Sequence, residues 1–596
     1  MAERWIADSL PSEIYPCYTR ANAGEVMPDP VSPLSASIGL GGPGEHGWRD
    51  AYVQAGCFDL DEFEPHRPNT LGVFGGYLYL NMSTTRIYGV RMPGWTPEMV
   101  DQQYFGDMPG ITPYAEEARP TDESAQHSAL LQEFLDHLFT QEDLPELRAD
   151  RDEIDRLVAR RPDLASLTDQ ELVDHARSHV PLYKRLFTRH ILTSSASGIG
   201  IGTVAQVCTA AGRPDLIMAL ISGLGDVDSA APSWAMWDLS RIVASSRSLT
   251  AAFDAGVAGV LARIEELARS GDEAAAAFAA KGEDFVRRFG ARGPNEWEFR
   301  SHTWGTSPEI ALAAVERMRF APDEESPQER TEQRVAEREA ATAEMRSLLA
   351  GDLEAAGTFE AGLRVAHLYN VGRERTKTTN IKVVHEMRLA MRELGRRLVE
   401  RGLLANIEQV FLFVDAELDP LVAWAEGRYL PGQPDYTALA AEREAYYLSL
   451  FDVEPPFVTF GAPPPMSEWR RRGVASDTKA AVGDVLSGIP GCPGVAVGRA
   501  RVVLDPTDPE GLAPGDILVA PLTDPAWTPL FVPAAAVVVN VGAQITHAVI
   551  VSRELGLPCV VSVIGATDKI PDGALVEVDG TAGTVKILDI KERAPA

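Results

Sequence analysis

The sequence predicts a multidomain protein of mixed α and α/β class, a large mainly helical part followed by a small β-rich domain. Three observations carry this prediction. A chain of 596 residues exceeds what one hydrophobic core supports, so two to four domains are expected. From about 124 to 320, apolar residues recur at three- and four-residue spacing. Beyond a proline-rich stretch at 454–473, short β-branched runs alternate with Gly, Pro and Asp turns.

Taken in order, residues 1–120 read as irregular, with turn-rich MPDPVSPL (27–34) and GLGGPGEHG (39–47) and a strand-like GGYLYLNM (75–82). Helices are expected at 130–139, 170–187 and 256–268. A solvated helix of mixed charge follows at 329–350, and a long one at 381–402 is stopped by Gly402. Residues 1–475 are therefore assigned to one helical domain, 454–484 to a linker and 485–590 to the C-terminal domain.

Composition narrows the function. With 55 Lys and Arg against 86 Asp and Glu, the formal net charge is −31. That field repels nucleic-acid phosphates and anionic lipid, so neither partner is expected. Any site for a phosphorylated group must gather its positive charge locally. The five cysteines are scattered and never form C-x-x-C, which fits a reducing cytoplasm and no metal knuckle. The first residues lack a signal-peptide pattern, and the longest uninterrupted apolar run, near 530–539, falls short of a membrane span.

The chemistry centres on VVVNVGAQITHAVIVSRELGLPCVV (537–561). Ala535 to Asn540 suits a buried strand. Gly542 and Ala543 give a turn, and Thr546 is placed to cap a helix running from His547 to Leu555 that Gly556 ends. His547 then lies in the first helical turn, where backbone amides and the helix dipole favour anions. A neutral imidazole there can act as a nucleophile for phosphoryl transfer. A lone histidine at a helix start is equally at home as a cap or core residue, so the stretch alone leaves both readings open.

Other spacings carry less. His175 and His179 have metal-ligand spacing, but Ala176 replaces the glutamate of H-E-x-x-H. SGIGIGT (197–203) follows a helical pattern rather than a strand, so it is no dinucleotide loop, and GLGGPGEHG lacks the lysine of a P-loop. Arg373 and Lys377, four apart, converge on one helix face if that stretch is helical, and two cations there can steady a phosphoryl group. Arg292 and Glu296 either line a cavity or pair with each other. Trp297 and Trp304 read more as core than as substrate platforms.

GAQITHAVIVSRELGLP resembles the G-G-x-x-S-H-A-x-I-x-A-R-E-x-G-I-P signature of the swivelling phosphohistidine domain of phosphoenolpyruvate synthase, pyruvate phosphate dikinase and rifampin phosphotransferase. IPGCPGVAVGRARVV (489–503) and GDILVAPLTDPAWTPLF (515–531) resemble the opening and middle segments of the same domain. Ala543 and Thr546 replace a usual Gly and Ser. The resemblance implies a β/β/α swivelling fold, His547 as phosphate carrier, and Gly542, Thr546 and Arg553 as support for its loop.

Upstream, TRANAGEVMPDPVSPL (19–34), FGARGPNEWEF (289–299) and GRERTKTTNIKVVHEMR (372–388) are similar to rifampin phosphotransferase segments, with Ala291 where histidine is frequent. This implies Arg373 and Lys377 as catalytic residues and Arg292, Glu296 and Trp297 as substrate-binding residues, with no metal held by this chain. No segment resembles the ATP-grasp module that charges the histidine in such enzymes, and the remaining pairing of a substrate domain with a phosphohistidine domain resembles the large subunit of phenylphosphate synthase and cresol-phosphorylating systems. The expectation is a dikinase-type phosphotransferase. A separate ATP-grasp subunit would bind ATP and Mg2+ and release AMP and phosphate, and a phenol such as phenol or cresol would accept the group. Phosphorylation of a rifamycin-like or other natural-product alcohol is the runner-up, and a non-catalytic phosphocarrier the alternative of another class.

Overall fold

The computed structural model describes residues 5–590 except 107, 109, 226–227, 229–230, 324–325, 430, 473–478, 505–511, 524–526 and 543–545. The chain forms two compact units. The first comprises 1–196, 297–301 and 375–474, and the second 197–296, 302–374 and 475–596. Where the sequence placed 1–475 in one domain, residues 197–296 and 302–374 instead pack with the C-terminal part.

In the first unit, strands β1 (Cys17–Thr19), β2 (Leu71–Phe74) and β3 (Tyr77–Asn81) join β5 (Val458–Phe460) in the order β2-β3-β1-β5. The short β4 (Val453–Glu454) and β6 (Arg470–Arg471) pair with each other. Short pieces of the stretch read as a linker are thus built into sheets, while 473–478 lie outside the described residues. Residues 1–120 are more regular than composition suggests. The helix Met82–Arg91 buries nearly every side chain, so it has no amphipathic stripe to announce it. Arg20, from the 19–34 segment, is buried and donates to the Leu78 carbonyl at 2.7 Å and to those of Met27 and Pro28 at 3.1 Å. Its charge serves the turn that follows β1.

The mixed-charge and basic stretches form the helices Pro327–Leu348 and Leu353–Glu400. The second begins 28 residues before the expected start at 381 (381 − 353), because its N-terminal half is polar and carries three glycines. Arg373 and Lys377 are helical, as their pairing on one face required. SGIGIGT lies inside the helix Val180–Ala210, and its glycines differ in what they do. A Cβ on Gly200 would stand 2.5 Å from the Ala366 amide nitrogen, so this glycine lets two helices cross closely. Gly202 faces open space.

The stretch Asp169–Ala210 is long and apolar enough to cross a membrane by length and composition, with half of its apolar window buried. Its crossing at Gly200 is what a core helix shows.

The C-terminal part of the second unit is an eight-stranded mixed sheet. It runs β7 (Val485–Ser487), β14 (Thr584–Asp589), β13 (Leu575–Asp579), β9 (Val495–Val502), β10 (Ile517–Ala520), β11 (Ala536–Val539), β12 (Cys559–Val561) and β8 (Ile489–Cys492). β9 to β12 are parallel, and antiparallel strands flank them. Parallel strands are covered on both faces, and the residues divide accordingly. Ile517, Val519, Ala536 and Val538 enter one core with Val576, Val578 and Ile587. Leu518, Ala520, Val537 and Val539 enter a second core, which also takes in the helical residues Trp237, Phe285 and Trp304. That alternation explains the unbroken apolar run AAAVVVN.

Replacing Gly200 by alanine is expected to destabilise the protein by about 1–3 kcal/mol through overpacking at the helix crossing. Gly202→Ala should stabilise it by up to about 1 kcal/mol. Denaturant melts of the two variants check this opposite pair of signs.

Candidate active site

β11, the helix His547–Leu555 and β12 form one parallel crossover, so His547 emerges at the carboxyl end of β11. Ligands of open α/β sheets bind outside the carboxyl ends of strands, and the neighbouring β10 delivers its own loop to the same place. The two loops leave side by side: the Asn540 amide donates to the Ala520 carbonyl at 3.1 Å, and Val541 to Pro521 at 3.2 Å.

This register brings two threonines onto the imidazole. Thr528 Oγ1 lies 3.1 Å from His547 Nε2, and Thr523 Oγ1 lies 3.3 Å from Nδ1. Phe531 presents its edge to the ring at 6.1 Å. His547 is only 8 % exposed, and the whole helix from His547 to Leu555 is buried. Hydroxyls at both nitrogens can fix ring orientation and tautomer without imposing a charge. Both threonines sit in the TDPAWTP segment quoted above, but only the fold reveals that they face His547.

The supporting residues take distinct places. Thr546 occupies the cap position with extended backbone, yet its side chain makes no capping bond to the helix. Its hydroxyl turns toward Gly542 instead, 3.3 Å from where a Cβ there would stand, and Val561 crowds the same point at 3.0 Å. Gly542 is therefore required for close approach. Its carbonyl accepts a 2.5 Å bond from Ser562, which adopts φ 54° just after β12. Ala543 lies outside the described residues. Gly556 ends the helix in the left-handed region as expected (φ 69°). Arg553 lies six residues beyond His547, about 9 Å along the helix, with Nε 3.5 Å from Glu554 Oε1. It serves the far end of the helix rather than the loop.

Arg292 and Glu296 are both buried and pair at 2.6 Å within the second unit. Burial alone would lower the pKa of the guanidinium. The Glu296 carboxylate, with Glu374 and Asp228 nearby, reverses that and holds the pKa above its ordinary value. Arg373 and Lys377 are half-buried one turn apart on the Leu353–Glu400 helix; Arg373 falls in the second unit and Lys377 in the first. Trp297, in the first unit, is buried edge-on to Phe187 at 5.9 Å and tilted against His190 at 6.1 Å. It is part of an aromatic core there, and Trp304 likewise packs on Phe285 at 5.5 Å in the second unit.

His179 Nδ1 is 2.7 Å from the His175 carbonyl, so the His179 ring is engaged by the backbone at its helix end. Among the described residues Asp59, Glu62 and His127 bring ligand-type atoms together, but Glu62 is already held by Arg91 at 2.6 Å. A small cleft in the second unit lies beside Trp234, Thr331, Thr528, Ile550 and Glu554. Through Thr528 it borders the His547 ring.

Two family models match the chain: the rifampicin phosphotransferase fourth domain over 190–374 and the PEP-utilising enzyme mobile domain over 512–583. The second match spans the segment that carries His547. An uncharacterized protein of Mycobacterium tuberculosis is 28% identical over 98% of this chain. The rifampicin phosphotransferase of Streptomyces sviceus is 36% identical over 33% of this chain and 21% of its own length. The prodigiosin synthesizing transferase PigC of Serratia marcescens is 31% identical over 52% of this chain and 33% of its own length. These matches make parts of the chain similar to PEP-utilising and rifampicin phosphotransferase-like proteins. It spans 63% of the length of the mycobacterial relative.

Arg292→Leu should destabilise the second unit by about 3–5 kcal/mol, because it leaves Glu296 buried without its cation. The double variant Arg292→Leu/Glu296→Leu should recover much of that loss. Chemical denaturation of the single and double variants measures the difference.

Proposed function

We propose that the chain is a phosphotransferase that carries a phosphoryl group on His547 and passes it to a hydroxyl acceptor. The observation that carries this reading is the His547 ring at the carboxyl ends of β10 and β11, held between Thr523 and Thr528 within the segment matching the mobile domain. With Nδ1–H donating to Thr523, the Nε2 lone pair is the nucleophile, and the Thr528 hydroxyl turns aside as phosphorus approaches. Nε2 attacks phosphorus, the donor's bond to phosphorus breaks, and a phosphoramidate forms. The acceptor oxygen then attacks phosphorus, the N–P bond breaks, and the hydroxyl proton leaves as the imidazole is restored.

The donor is an ATP-grasp module outside these residues, proposed as a separate subunit that binds ATP and Mg2+. A module on a longer chain would serve the same chemistry. A natural-product alcohol is favoured as acceptor, since relatives bear names that refer to rifampicin and prodigiosin. Phenol or cresol, put first by the sequence reading, has no such support and stands second. Arg373 and Lys377 are proposed to receive the phosphoryl group on the acceptor side, with Arg292 and Glu296 shaping that region.

Phosphoramidate, a small phosphoryl donor for histidine, tests the carrier role without the missing module. Wild type should become labelled and then lose label to a member of a hydroxyl panel containing rifampicin, phenol and p-cresol. His547→Ala should take up none, and label retained by that variant would sink the reading. Thr523→Val should slow charging about tenfold, the effect of one lost hydrogen bond of roughly 1.4 kcal/mol. Thr523→Ser should not.

A further inference from the structure

Moving a phosphoryl group onto a hydroxyl needs a base as well as cations, because the attacking oxygen must shed its proton. Arg373 and Lys377, proposed to receive the group, cannot take that proton, since a charged guanidinium or ammonium has only donors. A histidine lies beside the Lys377 stretch in the first unit. His190 is half-buried on the helix Val180–Ala210, with Nδ1 2.9 Å from Thr376 Oγ1. Thr376 is buried on the Leu353–Glu400 helix and directly precedes Lys377. With Nδ1–H donating to that hydroxyl, Nε2 keeps the lone pair that can accept a proton.

The surroundings of His190 combine apolar rings with unpaired polar atoms. Phe187 and Trp297 each tilt against its ring at 6.1 Å. Trp297 is 5 % exposed, yet its Nε1 has no hydrogen-bond partner among the described residues. Asn380, fully buried one turn past Thr376, donates from Nδ2 to the Thr376 carbonyl at 2.9 Å. Its Oδ1 likewise has no partner among the described residues. Folded chains leave few buried polar atoms unpaired, because each has given up its hydration. One donor and one acceptor therefore flank the His190–Thr376 pair, suited to the polar atoms of an incoming molecule.

We propose that His190 is the general base for the acceptor hydroxyl, held in its working tautomer by Thr376. The acceptor oxygen attacks phosphorus as its proton passes to His190 Nε2. The bond from phosphorus to His547 breaks, and its electron pair returns to the His547 ring. Loss of the proton from His190 to water resets the site. The proposal rests on His547 as the carrier, and it divides the reaction in two: charging needs no acceptor and hence no base for one.

The test charges the full chain with labelled phosphoramidate, removes the donor, and follows discharge to alcohols and phenols graded in acidity. An alcohol is a weaker acid than a phenol, whose pKa is about 10 as in tyrosine, and so depends more on a base. His190→Gln should take up label at the wild-type rate. Its discharge should fall at least about 100-fold for the least acidic acceptor, and progressively less as acidity rises. A merely structural role would slow every acceptor alike. Thr376→Val should show the same graded loss at about tenfold, and Thr376→Ser should discharge like wild type. This second pair decides the matter if circular dichroism shows that His190→Gln fails to fold. Equal discharge in His190→Gln and wild type, or an equal loss across all acceptors, would overturn the base and leave the carrier standing. Charged wild type that passes label to no hydroxyl would overturn it too. Wild type that phosphoramidate never charges would remove the carrier reading, and the base with it.

Discussion

The structure around the site depends on one constraint, the parallel pairing of β10, β11 and β12. Antiparallel neighbours can be joined by a tight hairpin, whereas parallel ones need a crossover, and here the crossover is the His547 helix. That connection fixes where the imidazole stands. It also forces the loop after β10 to leave beside the loop after β11, so Thr523 and Thr528 meet a histidine some twenty residues later in sequence. The apolar strands follow from the same cause, since a sheet carrying crossovers on its faces must be buried on both.

Electrostatics set a second theme. A chain with net charge −31 offers little long-range attraction to a phosphorylated partner. Cations in the 289–377 region are therefore local devices. Arg292 is neutralised in place by Glu296, with Glu374 and Asp228 near it, so its role is to hold the fold of its turn. Arg373 and Lys377 remain half-buried on a helix face. Both His547 nitrogens meet threonine hydroxyls, which orient the ring and select its tautomer.

Legibility in the sequence tracked the range of the interactions. The helix His547–Leu555, its Thr546 start and its Gly556 end were readable because caps and turns are local. The alternating cores of β10 and β11 were readable as an apolar run, though not as two faces. The helix Met82–Arg91 was hidden by burial on all sides, and the early start of the Leu353–Glu400 helix by its polar surface. Trp297 illustrates a different gap: its neighbours Phe187 and His190 are over a hundred residues away, so no spacing rule could place it. The Thr546 side chain lies toward Gly542 and makes no capping bond to the helix, which the cap spacing alone does not foretell. Thr523 and Thr528 acquire meaning only through the sheet.

The central claim is that His547 is the atom-bearing site of phosphoryl transfer, and locating the phosphate tests it most directly. After charging with labelled phosphoramidate, peptide mapping under mildly alkaline conditions preserves an acid-labile N–P bond. The account predicts a single labelled peptide containing His547, with the label lost in acid. Label on any other residue, or an acid-stable phosphate ester in its place, would contradict it.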